Sequence, residues 1–153
     1  MRIDVVERPA VRVACMHYTG PPGEPRGRFW RVTVAPWLAD HGLVDCPRYG
    51  VTLDQCRYDA CVQLPPGFGL VGACPPPLLH KRIPARWMAT LRYEGSAADI
   101  ADGWHALLGQ WLPQAAYQLA IGPFRERYDP GQCTPGARDV RCELGMPVEP
   151  RLG

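Results

Sequence analysis

The sequence predicts an α+β fold in which two related strand–helix–strand–strand repeats share one antiparallel sheet and place their two helices on the same face of it. Three observations predict this class. A sequence similarity recurs at an offset of about 74 residues, close to half of the 153-residue chain, each half has a helical segment with two tryptophans, and short alternating segments surround both. A hydrophobic content of 46% and a charged content of 21% are those of an ordinary soluble globular domain.

The two halves open with matching strands. The segments RVACMHYTG (12–20) and WMATLRYEG (87–95) both alternate between apolar and polar residues, and both end in Tyr-x-Gly. A helical segment follows each of them, with two tryptophans seven residues apart and a closing Trp-Leu pair. Because seven residues make two helical turns, each tryptophan pair is expected on one face of its helix.

The second helix has the clearer end signals. Ser96 can cap its start, Asp99 makes the first turn acidic, and Pro113 is placed to end it. In the first helix, Pro25 suits the first helical position, whereas Pro36 is expected to kink or split the helix.

The remaining elements are short strands in the same order in both halves. They are predicted near 11–18, 48–53 and 57–63 in the first half and near 86–93, 121–128 and 139–146 in the second, with leading strands near 2–7 and 78–83. The predicted organisation is a single domain, 1–153, with a first repeat at about 1–64, a Pro/Gly-rich bridge at 65–78 and a second repeat at about 79–150.

An acidic residue interrupts the apolar pattern of the segment PFRERY (123–128). As a strand, this segment directs Phe124, Glu126 and Tyr128 to the buried face and its two arginines to solvent. Aligning the repeats places Val51 of the first half opposite Glu126 of the second. A buried carboxylate is costly unless it is paired, so it needs a reason. Either Glu126 belongs to a ligand site, or it reaches water at a strand end or pairs with a nearby arginine, and a one-residue slip of register would turn it outward.

Aromatic side chains surround this position in the predicted fold. They can be core residues, or they can form the walls of a site for a flat or cationic organic molecule. The strands contribute Tyr18, Trp87, Tyr93, Phe124 and Tyr128 to the inner face, and the helices contribute Trp30, Trp37, Trp104 and Trp111.

Composition excludes several classes of protein. A net charge of +2 with a single lysine gives no basic patch for nucleic acid, and there is neither a signal peptide nor a membrane-spanning run. The seven cysteines form no CxxC pair and no Cys/His pair at short spacing. We therefore expect free thiols in a cytoplasmic protein, with no disulfide, no metal and no cofactor.

Five segments resemble a known family: YGVTLDQCRYDACV (49–62), YEG (93–95), WHALLGQWLP (104–113), PFRERY (123–128) and MPV (146–148). In this order they are similar to the GyrI-like small-molecule-binding domain, which is also the effector-binding domain of AraC-type and MerR-type multidrug regulators. The resemblance implies a curved sheet with a central groove. It also implies that Glu126 matches the glutamate at the groove base, which faces lipophilic cations in the regulators. Because the chain starts at the domain's first strand with no helix-turn-helix before it, direct DNA binding is not expected.

Three functions remain open. The first is a stand-alone binder of hydrophobic, aromatic or cationic small molecules. The second is a hydrolase that opens cyclopropanoid DNA-alkylating compounds, since some stand-alone family members are similar to hydrolases of this kind. In that function Glu126 would orient water, and Tyr93 or Tyr128 would donate a proton. The third is action on a protein partner, since founding members inhibit DNA gyrase. The ligand-binding residues predicted for the groove are Tyr18, Trp37, Trp87, Tyr93, Trp111, Phe124, Glu126 and Tyr128.

Overall fold

A computed structural model describes residues 2–69, 78–131 and 135–152. Within these ranges the chain forms nine strands in an antiparallel, curved sheet, with two helical segments. The α+β prediction is therefore confirmed. Most of the predicted bridge, 70–77, lies outside the described residues. The strands are β1 (Ile3–Arg8), β2 (Val11–Thr19), β3 (Arg48–Thr52), β4 (Arg57–Gln63), β5 (Leu78–Ile83), β6 (Arg86–Ser96), β7 (Tyr117–Leu119), β8 (Phe124–Tyr128) and β9 (Asp139–Pro150).

Several predicted strand boundaries differ from the structure, since β6 and β9 run on to Ser96 and Pro150. The strand expected over 121–128 begins only at Phe124, and a separate short strand, β7, precedes it and pairs with the end of β9. Pro123 has no backbone N–H to give to a strand ladder, so the regular strand starts after it.

Both helical segments change their winding part-way along. The first consists of α1 (Glu24–Phe29), a π-helical turn over Trp30–Val34 and α2 (Ala35–Asp40). In the π turn the N–H of Ala35 donates to the carbonyl of Trp30, an i→i+5 bond. Pro36 follows at once and supplies no N–H of its own, so the expected disturbance takes the form of a wider turn. The second segment combines 3-10 turns, α3 (Ile100–His105) and a π-helical turn over Ala106–Trp111.

The two halves meet at the centre of the sheet. The strand order is β1-β6-β9-β8-β3-β4-β2-β5, so the β3–β8 pair joins the halves. Each half contributes the same inner order, outward from that pair: β3-β4-β2 on one side and β8-β9-β6 on the other. The leading strands are exchanged, because β1 pairs with β6 of the second half and β5 pairs with β2 of the first.

Short links between distant strands force the sheet to curve. In the strand order, β5 and β6 are six spacings apart, which in a flat sheet would be roughly 29 Å. The link from Ile83 to Arg86 has three peptide steps and reaches about 11 Å at most. The same holds for β1 and β2, which are joined by residues 9–10. The sheet therefore curls until the ends of these strands approach one another.

The helical segments cover one face of the sheet, here called the helix face. Two core clusters lie beneath them, one around Trp30, Leu38 and Tyr58 and one around Leu107 and Leu144. A third cluster lies on the opposite face, here called the outer face, and contains Val13, Cys15, Tyr49, Val51 and Cys61. No helix within residues 2–69, 78–131 and 135–152 covers this cluster, so its burial is in keeping with the curvature of the sheet.

Two expectations about side-chain direction are corrected. Val51 does not correspond to Glu126, because the register pairs Glu126 with Gly50 and Val51 with Arg125, and Val51 belongs to the outer face. The alignment of the repeats was wrong by one residue, which in a strand reverses the face. Arg125 is not in solvent, since only 6% of it is exposed.

Candidate functional site

Glu126 lies on the helix face at the junction of the two halves. Its strand neighbours Phe124 and Tyr128 pack with the core cluster under the second helical segment. Directly across the central strand pair is Gly50. A Cβ at that position would come within 2.5 Å of Glu126 Oε1 and 2.6 Å of Tyr58 Cζ, and even closer to the Tyr58 hydroxyl. Glycine is therefore needed here so that these two side chains can meet.

A chain of hydrogen bonds ends on the Glu126 carboxylate. The indole Nε1 of Trp30 donates to the hydroxyl of Tyr58 over 3.0 Å, and that hydroxyl donates to Glu126 Oε1 over 3.0 Å. Burial raises the pKa of Tyr58 well above its ordinary value, and the neighbouring charge of Glu126 raises it further. The hydroxyl therefore keeps its proton and remains a donor.

Burial also raises the pKa of Glu126 above the usual 4.5, although the residue as a whole keeps some exposure. Three influences oppose that rise: the hydrogen bond from Tyr58, the positive charge of Arg26 and a hydrogen bond with Tyr128. Desolvation thus favours the protonated form of the carboxyl group, whereas the hydrogen-bond donors and the cation favour the ionised form.

A guanidinium of this chain lies beside the site. Arg26 Cζ is 4.1 Å from the ring centroid of Tyr58 and 5.9 Å from that of Tyr18. Among the described residues, no carboxylate lies within ion-pairing distance of Arg26, and its buried Nε has no hydrogen-bond partner. Arg26 thus lies over the Tyr58 ring, where its positive charge acts on Glu126.

The predicted site residues fall into two groups. Tyr128 and Phe124 share the face and strand of Glu126. Tyr18 lies near the same region, because Arg26 contacts both its ring and the ring of Tyr58. The others have their contacts elsewhere. Tyr93 donates to the carbonyl of Ser96 over 2.6 Å, Trp37 stacks on His41, Trp111 stacks on Tyr117, and Trp87 is 54% exposed.

Sequence reasoning missed four neighbours of Glu126: Gly50, Tyr58, Trp30 as a hydrogen-bond donor, and Arg26. Alternation could have found Tyr58, because in a strand over 57–63 it lies on the face opposite to Arg57, Asp59 and Cys61. No pattern in the sequence indicates that Arg26 and Glu126 approach each other, since they are a hundred residues apart in the chain.

Two features are absent from the described part of the chain. No group of three His, Cys, Asp or Glu residues there could hold a metal ion. In the same ranges, no helix is both long enough and apolar enough to cross a membrane.

The fold and this site define a small-molecule-binding domain, and sequence comparison agrees. The profile of the GyrI-like small molecule binding domain matches residues 1–149, so the chain belongs to that family. A DNA gyrase inhibitor from Erwinia billingiae is 25% identical, with 97% of both chains covered. The transcriptional regulator BrlR of Pseudomonas aeruginosa is also 25% identical over 97% of this chain, which spans 56% of that regulator's length.

Solved structures share the fold at low identity. The EcmrR C-terminal domain is 17% identical, with a TM-score of 0.72 and 98% of both chains covered. SAV2435 bound to tetraphenylphosphonium is 14% identical, with a TM-score of 0.59, and covers 97% of this chain and 94% of its own. A hydrolase from Listeria innocua is 11% identical, with a TM-score of 0.63 and coverage of 97% and 92%.

Proposed function

We propose that this protein binds aromatic, largely apolar small molecules, neutral or cationic, on the helix face of its sheet, with Glu126 as the polar anchor. The observation that carries the proposal is the hydrogen-bond chain from Trp30 through Tyr58 to the carboxylate of Glu126. It places one acidic group, with a raised pKa, among aromatic rings. Such a group stabilises a cation that displaces its water and also accepts a hydrogen bond from a neutral ligand.

Arg26 sets the balance between cationic and neutral ligands in this proposal. Its guanidinium lies over the Tyr58 ring and partly compensates the charge of Glu126. A cationic ligand must displace this guanidinium or bind against its electrostatic repulsion, whereas a neutral aromatic ligand can stack beside it. The ligand preference therefore depends on two residues of opposite charge.

The test is a pair of ligands that differ in charge, tetraphenylphosphonium and neutral triphenylphosphine oxide, titrated against matched variants. Glu126→Gln keeps the shape and removes the charge, so we expect it to weaken the phosphonium about ten-fold or more and to leave the oxide nearly unchanged. Arg26→Gln should strengthen the phosphonium and not the oxide. Glu94→Gln, an exposed strand residue paired with Arg141, is the control. Equal affinities for both ligands in all four proteins would show that Glu126 has only a structural role.

Hydrolysis on the same site is the second proposal, supported by the 3.0 Å contact between a tyrosine hydroxyl and a carboxylate. Glu126 would take a proton from water as the water oxygen bonds to a cyclopropane carbon, and the ring C–C bond would break towards the substrate carbonyl. Tyr58, in place of the predicted Tyr93 or Tyr128, would give its proton to the carbonyl oxygen and recover one from Glu126 across their contact. In that case Glu126→Gln should abolish ring opening but retain substrate binding. Product formation followed by mass spectrometry, with the Gln variant as the blank, separates catalysis from binding. Action on gyrase stays a prediction from the family resemblance.

A further inference from the structure

A pocket on the outer face is separate from the Glu126 site. It has a volume of about 170 Å³. Its floor is formed by Val13, Cys15, Val51 and Cys61, and the link that follows β5, with Pro84, closes one side. The curvature of the sheet brings that link over the middle strands. An apolar cavity of roughly 150 Å³ is large enough to hold a benzene-sized molecule.

Four cationic side chains line this pocket, Lys81, Arg82, Arg86 and Arg125, and the buried one among them is Arg125 on the central strand β8. Arg125 is 94% buried, since its exposed fraction is 6%. Its Cζ lies 5.3 Å from the ring centroid of Tyr49, and among the described residues it has neither a hydrogen bond nor an ion pair. Burial lowers its pKa, but an arginine remains charged at any physiological pH. Its nitrogen atoms are not among the fully enclosed, unpartnered atoms of the described residues, so an acceptor that enters the pocket can reach them.

The acidic residues around the pocket are already paired with other bases. Asp59 accepts from His17 over 2.9 Å and from Lys81 over 2.7 Å. Glu143 is held by two hydrogen bonds from Arg8 and influences Arg125 only through its charge. The balance of charge at the pocket is therefore positive.

We propose that this pocket is a second binding site, for a small carboxylate with a compact apolar body, in which the carboxylate pairs with Arg125. The planar guanidinium can donate two parallel hydrogen bonds to a carboxylate, which gives the anion a fixed orientation. The apolar floor accepts a ring or a branched chain of about the size of benzene. Inorganic phosphate has no apolar body to fill this space, so it binds more weakly than the carboxylate.

Met88 makes the test specific to this pocket. Its side chain lines the outer-face pocket, whereas Met16 and Met146 belong to the two core clusters on the helix face. With methyl-labelled methionines, benzoate should shift the Met88 resonance at millimolar or lower concentration and leave the resonances of Met16 and Met146 in place. Benzyl alcohol, which has a similar shape and no charge, should bind about ten-fold more weakly or worse.

Two variants of Arg125 and one of Glu126 complete the design. Arg125→Gln should remove most of the preference for benzoate over benzyl alcohol, the remainder coming from Lys81, Arg82 and Arg86, and Arg125→Lys, which keeps the charge but not the fork, should retain more of it. Glu126→Gln should leave benzoate binding unchanged, and this separates the second site from the proposed function. The proposal is overturned if Met88 does not respond, if Met16 or Met146 responds instead, or if benzoate and benzyl alcohol bind equally well to the unaltered protein.

Discussion

Replacing Gly50 by alanine tests how closely the two halves of the sheet meet at Glu126. The new methyl carbon would lie 2.5 Å from Glu126 Oε1 and 2.6 Å from the Tyr58 ring carbon Cζ. Neither atom can yield easily, because Tyr58 is 1% exposed and is held by Trp30 and Glu126. The tyrosine must therefore move, and both of its hydrogen bonds are strained or lost.

The expected loss of stability follows from these contacts. Overpacking of a core position costs about 1–3 kcal/mol. Losing the bond to a charged acceptor costs roughly 1.5–3 kcal/mol, and losing the bond from the Trp30 indole about 1 kcal/mol. Alanine in a strand recovers about 0.5–1 kcal/mol relative to glycine. We therefore expect Gly50→Ala to lower the free energy of unfolding by roughly 2.5–6.5 kcal/mol, a large fraction of the 5–15 kcal/mol typical of a domain.

Urea denaturation followed by circular dichroism measures this change. Gly69→Ala is the matched control, because a Cβ there meets nothing within 4 Å, and we expect it to change stability by less than about 0.5 kcal/mol. In a Tyr58→Phe background the closest clashing atom is gone while the ring carbon remains, so the cost of Gly50→Ala should fall without vanishing. A Gly50→Ala protein as stable as the control would refute the close approach of Tyr58 and Glu126.

Two further predictions concern ionisation and thiols. Because burial raises the pKa of Glu126 above 4.5, ionising it costs stability, so Glu126→Gln should be at least as stable as the unaltered protein at neutral pH. As the pH falls through the raised pKa, the unaltered protein takes up the proton and the difference in unfolding free energy should shrink; a difference that grows would contradict this sign. Titration of freshly purified, denatured, unreduced protein should find all seven thiols of the sequence. Cys15 and Cys61, whose sulfur atoms are 2.7 Å apart, are the pair to examine, and a count of five with these two peptides linked would show a cross-strand disulfide.

The parts of the fold that depend on local pattern could be predicted from the sequence. Alternation located the strands that contain Tyr18 and Tyr93, and Pro36 indicated a disturbed helix. Alternation within PFRERY also placed Glu126 with Phe124 and Tyr128. The comparison between repeats failed at Val51, because similarity between two short strands does not fix their register to within one residue, and the face of every side chain depends on it.

The amino-acid sequence by itself determined the class of fold, the order of elements and the presence of one acidic residue on a face that is otherwise apolar, because these follow from periodicities of a few residues. Tertiary structure decided which side chains surround that residue. Tyr58, which also accepts a hydrogen bond from Trp30, reaches Glu126 only because β3 and β8 pair across the centre and Gly50 leaves room, and Arg26 acts on Glu126 from beside the Tyr58 ring. It also decided that Arg125 is buried. The leading strands are exchanged between the halves and joined by links too short for a flat sheet, so the outer face curls around the Arg125 guanidinium. No local sequence pattern encodes how closely the ends of these distant strands approach.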